Sequence, residues 1–191
     1  HLDTLSSVSN LVSTYMNQGR WVEAEKHEMQ LTTIRAAKLG QDHPDTLTSM
    51  SNLASIYRNM RKLEEAEKLN LQVMRTRKLK LGDDHPDTLI SKDNLASTYW
   101  SQGRLERAEK LFLQVMELRV MKFGENHPST LMSMSSVALC WRSLGRMGNA
   151  LDMLRACLAK QNKILGPNHP DTLASYKTLL EWEFESLSCG A

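Results

Sequence analysis

Three asparagines recur at one fixed interval, and their side chains could bind the backbone of an extended peptide. Asn10, Asn52 and Asn94 follow one another at steps of 42 residues. A primary amide carries an acceptor and two donors, which suits the C=O and N–H groups of a peptide whatever its side chains are. Neighbouring helices pack about 10 Å apart and an extended chain rises about 3.3 Å per residue, so one amide per repeat would meet the peptide at about every third residue. The alternative is that each amide is hydrogen-bonded within its own helix or to a neighbouring repeat and binds nothing.

Side chains at steps of three residues after each Asn would lie on the same helix face. Ser55 and Ser97 occupy the first step, and Arg58 and Trp100 occupy the second. In the fourth repeat Ser136 takes the Asn position, and Arg142 lies at the second step after it. The two arginines could select an acidic side chain or a C-terminal carboxylate, and Trp100 could hold an apolar side chain. The alternative is that the arginines are solvated and that the aromatic ring only covers its neighbours.

The elements that must position these side chains repeat with the same period. The motif His-Pro-Asp-Thr-Leu, or a close variant, begins at His1, His43, His85, His127 and His169. Residues 43–84 align with residues 85–126 without a gap and share 24 identities in 42 positions. This period predicts a repeat array with units 1–42, 43–84, 85–126 and 127–168. Residues 169–187 are expected to form the first helix of a fifth unit or a capping helix, and residues 188–191 a tail.

Each unit is predicted to be a helix-turn-helix hairpin, because apolar residues recur at helical spacing in both of its halves. In the second repeat they are Leu47, Met50, Leu53, Ala54 and Tyr57, and then Leu63, Ala66, Leu69 and Val73. The turn between the halves contains Gly19, Gly103 or Gly145, but the second repeat has Arg61 there. We therefore expect the second turn to be the most strained or to have a different shape.

The junction between hairpins combines signals that end one helix and begin the next. Gly40, Gly82, Gly124 and Gly166 are predicted C′ residues. Asp42, Asp84, Asn126 and Asn168 are predicted N-caps, with Pro in the first turn and an acidic residue near the positive end of the helix dipole in most copies. These signals leave the His of the motif without an assigned role.

The order and spacing of Leu53-Ala54, Tyr57, the turn and Ala66 resemble the tetratricopeptide repeat. The 42-residue unit, with Asn-Leu-Ala, Gln-Gly-Arg, Glu-Ala-Glu-Lys and Leu-Gly-x-x-His-Pro-Asp-Thr, resembles the kinesin-light-chain type of this repeat, which also occurs in fungal and bacterial NTPases of the STAND (NOD-like) class. The resemblance extends from His1 to about Thr178. It implies an all-α right-handed solenoid whose first helices line a concave groove. It also implies that Asn10, Asn52 and Asn94 clasp peptide backbone.

The expected function is a non-enzymatic module that binds a protein or an extended peptide in this groove. One alternative is a regulatory or sensor array of a STAND NTPase that acts by self-packing or oligomerisation. Another is a cargo adaptor similar to kinesin light chain. We expect no catalytic residues, because the sequence lacks a Gly-x-Ser-x-Gly turn and a Gly-x-x-x-x-Gly-Lys phosphate loop.

Neither a metal nor a nucleic acid is an expected ligand, and we expect no cofactor. The motif histidines lie one repeat apart, about 10 Å, whereas ligands of one ion lie about 2 Å from it. The net charge is only +2, and the basic cluster at residues 75–80 is interpreted as a solvated helix end because the other repeats do not continue it. No apolar run approaches the roughly 20 residues that cross a bilayer, so no membrane partner is expected.

The cysteines favour a reducing, cytoplasmic setting. Cys140 and Cys157 fall at apolar helical positions and are predicted to be buried thiols, and Cys189 completes the three. The sequence starts within a repeat, has neither an initiator Met nor a signal peptide, and is expected to be a fragment. Self-association is possible, because the ends of a truncated solenoid expose apolar surface.

Overall fold

The structure, a computed structural model, describes residues 2–188, with side chains from residue 5 to residue 186. His1, Cys189 and the predicted tail beyond Ser188 lie outside the described residues. Within them the chain forms nine α-helices and no strand, which confirms the all-α fold class. The helices are α1 (Leu2–Asn17), α2 (Trp21–Leu39), α3 (Pro44–Asn59), α4 (Leu63–Leu81), α5 (Pro86–Ser101), α6 (Leu105–Phe123), α7 (Pro128–Ser143), α8 (Met147–Ile164) and α9 (Pro170–Ser188).

The helices belong to two compact units. The first unit extends to Gln102 and the second begins at Gly103. Odd-numbered helices are the first helices of hairpins, and even-numbered helices are the second helices. In the first unit α2 packs against α1 and α3, α4 packs against α3 and α5, and α3 also contacts α5. In the second unit α7 packs between α6 and α8, and α8 also packs against α9.

The core of each unit consists of the apolar positions that the helical spacing predicts. In the first unit Leu47, Met50 and Val73 form one buried cluster. The second unit contains the equivalent cluster of Leu131, Met134 and Cys157. The predicted burial of Cys140 and Cys157 is confirmed. Alanines at the helix contacts are fully buried and allow close packing, namely Ala24, Ala54, Ala66, Ala96, Ala108, Ala138 and Ala150.

A lysine replaces a core methionine in the third repeat. Lys92 occupies the place of Met50 and Met134 and is buried, with its Nζ 2.9 Å from Asp83 Oδ2. Lys78 Nζ lies 2.9 Å from the other carboxylate oxygen of Asp83. The ion pair with Lys78, and then that with Lys92, holds the pKa of Asp83 below its ordinary value. The burial of Lys92 is therefore offset by a carboxylate of the same unit.

The turn of the second hairpin is strained, as the sequence predicts, but it has the same shape as the other turns. Gly19, Gly103 and Gly145 have φ values of 71°, 75° and 74°. Arg61 has φ 62° and is the only non-glycine residue with a positive φ among the described residues. A side chain in this conformation costs roughly 1–2 kcal/mol, so the fold imposes the turn on a residue that disfavours it.

The N-caps differ from the prediction by one residue. His43, His85 and His127 are the caps of α3, α5 and α7, and their Nδ1 atoms accept hydrogen bonds from backbone N–H groups two residues later at 3.2, 3.2 and 3.1 Å. The predicted caps, Asp42, Asp84, Asn126 and Asn168, precede the histidines. The reason lies in the Pro, which takes the first helical position and favours extended backbone in the residue before it. This assigns the role that the sequence left open.

The interpretation of residues 75–80 as a solvated helix end is wrong for Arg77. Arg77 is buried, and its Nη1 donates to Ser91 Oγ at 2.9 Å and to the Asp87 carbonyl at 3.2 Å. Arg35 and Arg119 make the same bond to Ser49 and Ser133, both at 2.6 Å. These arginines join consecutive hairpins, so the cluster is not one solvated surface.

Three of the four glycines at the helix ends lie one position nearer to their helix than predicted. Gly40, Gly82 and Gly124 are C-caps rather than C′ residues, and their backbone angles, such as φ 96° and ψ 158° at Gly40, are nearly restricted to glycine. Gly166 follows the C-cap Leu165, as expected of a C′ residue. No helix among the described residues combines the length and the apolar character needed to span a membrane.

Candidate functional site

The structure places the three predicted asparagines in the middle of the first helices of the first unit. Asn10 on α1 is exposed, and Asn52 on α3 and Asn94 on α5 are half-buried. The side-chain amides of Asn10 and Asn94 make no hydrogen bond to any described residue. They are therefore not held by their own helix, and their donors and acceptors are available to a ligand.

Packing brings the helices that carry these amides together. Val12 of α1 and Ile56 of α3 belong to one buried cluster, and α3 contacts α5 directly. We call Asn10, Asn52 and Asn94, with Ser55, Ser97, Arg58 and Trp100, the Asn surface; all of its residues lie in the first unit.

A buried amide supports the Asn surface from behind at α5. Asn70 of α4 donates from Nδ2 to Thr98 Oγ1 at 3.0 Å and, at a longer 3.4 Å, to the Asn94 carbonyl. Thr98 Oγ1 in turn donates to the Asn94 carbonyl at 2.9 Å. These bonds fix the backbone of Asn94 and leave its side chain unbonded.

The equivalent position behind Asn52 carries a buried acid that the sequence interpretation missed. Glu28 of α2 is fully buried, and its place in the repeat is taken by Asn70, Phe112 and Leu154 in the later units. Burial raises the pKa of Glu28, while Ser49, Arg35 and Asn52 favour the charged form. Neither carboxylate oxygen has a well-directed hydrogen bond. The sequence signal that could have revealed this residue is its charge, because Asn70, Phe112 and Leu154 at the same repeat position are uncharged.

Arg58 carries a positive charge that has no counterion among the described side chains. Its side chain is half-buried, and no ion pair or hydrogen bond joins its guanidinium to a described residue. Burial lowers the pKa of Arg58, with no carboxylate opposing the shift. A partly desolvated guanidinium favours an anionic partner, which forms strong paired hydrogen bonds with it.

The remaining members of the Asn surface offer fewer free donors. Ser55 Oγ donates to the Ser51 carbonyl at 3.1 Å, so the hydroxyl has only lone pairs left for a ligand. Ser97 is half-buried, and Trp100 is 39% exposed. Trp100 occupies on α5 the place of Arg58 on α3, so the two positions differ in chemistry.

Arg142 lies in the second unit and has an intramolecular partner. Its Nη2 lies 2.8 and 2.6 Å from the two carboxylate oxygens of Glu185 on α9, and its guanidinium lies 5.1 Å from the ring centroid of Trp182. The charge that was expected to select an acidic ligand is thus already neutralised. In this unit the Asn position is Ser136, whose hydroxyl donates to the Met132 carbonyl at 3.2 Å.

The corresponding face of the second unit holds a cavity of about 310 Å³ between α7 and α9. Its lining includes Ser136 and Leu139 of α7, Gln161 of α8, and Thr178 and Trp182 of α9. Hydroxyl and apolar groups replace the amides here, so this face would contact a ligand differently.

A larger cavity of about 790 Å³ opens at the hairpin junctions of the first unit. His43, His85, Arg77 and Lys80 contribute to its lining. Its charged groups are engaged, since Lys80 Nζ lies 3.2 Å from Asp42 Oδ2 and Arg77 bonds to α5. We therefore attribute these groups to the junction rather than to a ligand site.

Neither metal binding nor nucleophilic chemistry is supported by the described side chains. Among them no three His, Cys, Asp or Glu residues are grouped so that they could hold a metal ion. Burial raises the pKa of Cys140 to about 11 and also raises that of Cys157. Both thiols therefore stay protonated and unreactive near neutral pH.

The family comparison agrees with the helix pattern. The sequence profile of the tetratricopeptide repeat matches residues 3–78, 45–119 and 92–159. No curated protein sequence matches the chain.

Solved structures include repeats similar to this chain. Kinesin-light-chain-like, nearly identical TPR-like repeats from Podospora anserina have a TM-score of 0.78 and 31% identity, over 95% of this chain and 86% of that one. BtubC (BKLC) from P. vanneervenii has a TM-score of 0.76 and 19% identity, over 93% of this chain and 70% of that one. The apo form of RapI has a TM-score of 0.75 and 14% identity, over 97% of this chain and 65% of that one. The last two show the fold alone.

Proposed function

We propose that this chain, which belongs to the tetratricopeptide repeat family and has repeats of the kinesin-light-chain type, binds an extended protein segment on the Asn surface. The observation that carries the proposal is that the amides of Asn10 on α1 and Asn94 on α5, at one position of the repeat, have no hydrogen bond to a described residue. Members of this family are non-enzymatic scaffolds for protein interaction, and the chain is a module of this class. This agrees with the expectation that it is not an enzyme.

The amides would recognise the backbone of the segment rather than its side chains. Each Asn can donate to a C=O and accept from an N–H of an extended peptide, and each such bond contributes about 1 kcal/mol. Because the amides recur once per repeat, this recognition tolerates different sequences.

Arg58 supplies a preference for acidic segments. Its guanidinium is half-buried and has no carboxylate partner among the described residues. A Glu or Asp side chain, or a C-terminal carboxylate, would restore the interactions that burial removes. Trp100, one repeat further on, would contact an apolar side chain.

Substituting two of the amides tests the proposal. Asn10→Ala with Asn94→Ala should weaken binding of a peptide selected from a library about thirtyfold, the equivalent of two hydrogen bonds of about 1 kcal/mol each. Fluorescence anisotropy measures the affinity, and thermal unfolding measures the stability, which should stay unchanged.

Asn59→Ala is the matched control. Asn59 is an exposed amide of α3 whose Nδ2 donates to the Ser55 carbonyl at 2.8 Å within the same helix. Its loss should leave the affinity unchanged. If the double variant loses stability as much as affinity, the asparagines are structural and the proposal is wrong.

The two alternative functions that the sequence suggests differ in the domain that would accompany the module in the full-length protein. A STAND-type array would self-pack or oligomerise next to a nucleotide-binding domain, and a kinesin-light-chain-like adaptor would bind cargo next to a coiled coil. The similarity to the Podospora anserina repeats favours the adaptor of the two. The free thiols of Cys140 and Cys157 favour a cytoplasmic setting for either.

A further inference from the structure

The last helix of the second unit exposes a stripe of apolar side chains. Leu173, Tyr176, Leu180 and Phe184 recur at steps of three and four residues, which places them on one face of α9. Their exposed fractions are 52%, 51%, 48% and 74%. We call these four side chains the α9 stripe.

Three of these positions are buried in the preceding first helix. One repeat earlier, on α7, Leu131, Met134 and Ala138 are 1%, 8% and 0% exposed. The equivalent residues of α3 and α5 are buried as well. The exposure of the α9 stripe therefore reflects the absence of a neighbour, not a change in the helix.

The internal hairpins show which element covers this face. Leu131 and Met134 pack against Cys157 and Met153 of α8, the second helix of the same hairpin. In the first unit Leu47 and Met50 pack against Val73 and Leu69 of α4. The covering element is in each case a second helix.

The opposite face of α9 is already packed. Leu179 and Trp182 are buried against Leu151, Leu154 and Leu158 of α8. A capping helix would present a polar outer face to water, whereas α9 is apolar on both faces, like the internal first helices. These contacts favour the first-helix interpretation of residues 169–187 over the capping one.

We propose that the α9 stripe binds an amphipathic partner helix with the apolar spacing of a second helix. This spacing places Ala first, Leu or Met three residues later, and Val or Cys seven residues after the Ala. It occurs as Ala66, Leu69, Val73; as Ala108, Leu111, Val115; and as Ala150, Met153, Cys157. The small first residue allows close approach, and the two larger ones fill the grooves beside it. A second copy that offered its own α9 would place a first helix where α3 and α7 have a second helix.

A peptide with the sequence of α6 tests the proposal directly. A fluorescent peptide spanning Leu105–Phe123 should bind the intact chain saturably with one-to-one stoichiometry. Leu173→Ser with Leu180→Ser should weaken that binding at least about tenfold, since burial of two leucine side chains is lost. Both residues are half-exposed in the free chain, so the variant should remain folded by circular dichroism.

Matched controls locate the binding. Leu79→Ser with Met121→Ser changes two apolar side chains that are 87% and 75% exposed elsewhere and should not alter the affinity. A peptide with Val115→Asp should not bind, because its apolar stripe is interrupted.

Two results would overturn the proposal. One is no peptide binding, or binding that the α9 substitutions leave unchanged. The other is a dimer in sedimentation that these substitutions abolish, which would assign the stripe to a second copy. Asn10→Ala with Asn94→Ala should leave binding of the α6 peptide intact, so failure here is distinguishable from failure of the proposed function.

Discussion

Three similar side chains of the first unit act differently because their depth differs. Asn70 is buried and uses its amide to bond Thr98 and the Asn94 carbonyl, whereas Asn94 keeps its amide for a ligand. Glu28 occupies the position of Asn70 one repeat earlier but carries a carboxylate that burial makes costly to ionise. The position of a residue in the repeat sets how deeply its side chain is buried. This burial decides whether a polar group supports the fold or contacts a partner.

The burial of Glu28 predicts how stability depends on pH. Its pKa is raised in the folded chain, so the stabilisation from its protonated form is present below the unfolded-state pKa, near 4.5, and is lost as the pH rises through the folded pKa. Glu28→Gln has no such loss and should be more stable than the wild type at pH 7 by about 1 kcal/mol. Urea unfolding between pH 4 and pH 8 measures the difference, which should grow with pH.

Glu117→Gln is the control, because Glu117 is an exposed residue of α6. Its unfolding curves should follow those of the wild type at every pH. Parallel pH profiles for Glu28→Gln and the wild type would mean that Glu28 does not titrate between the two states.

At the scale of elements, the turns between paired helices keep one backbone conformation although their sequences differ. The four inter-helix turns share a left-handed residue, whether that residue is glycine or Arg61. In the second hairpin α4 packs against α3, and this packing holds Arg61 in a conformation that its side chain disfavours.

Relief of that strain is measurable. Arg61→Gly should raise the free energy of unfolding by about 1 kcal/mol, because glycine adopts φ 62° without the steric penalty of a side chain. Thermal unfolding should show a higher midpoint for this variant. Arg61→Ala retains Cβ and should show no gain; an equal gain for both variants would place the effect in the arginine side chain.

At the scale of the whole molecule, the stability of a repeat array is close to a sum of terms within repeats and between neighbours. The second unit has a core of its own, in which Trp182 joins α9 to Leu154 and Leu158 of α8. Disturbance of this core should therefore remain near its site.

Trp182→Ala tests how local the stability is. Loss of this buried ring should cost about 3–5 kcal/mol and lower the hydrogen-exchange protection of α8 and α9. Protection of α2 to α4 should stay within error of the wild type. A uniform loss of protection in all helices would show that the array unfolds as one cooperative unit.

The repeat pattern predicts most of the fold, because each hairpin depends on contacts close in the sequence. Apolar spacing identifies the core, as at Leu47 and Leu131, and the glycines mark the helix ends. The N-caps are placed one residue too early, since Asp and Asn are stronger cap signals than His. Only the geometry beside the Pro shows that His85 Nδ1 makes the bond.

The candidate site is less accessible from sequence. The register of the motif finds Asn10, Asn52 and Asn94, but it cannot tell a free side chain from an engaged one. Arg58 and Arg142 occupy equivalent positions, and only the structure shows that Glu185 pairs with Arg142 while Arg58 has no counterion among the described residues.

The sequence by itself determined the period, the hairpins, the apolar core and the column of amides, because these follow from helical spacing and local chain stops. The tertiary structure decided the role of the motif histidines, the burial of Glu28 and Arg77, the pairing of Arg142 and the open face of α9. Each of these depends on which side chains from other helices come within contact distance, and helical periodicity within one segment carries no such information.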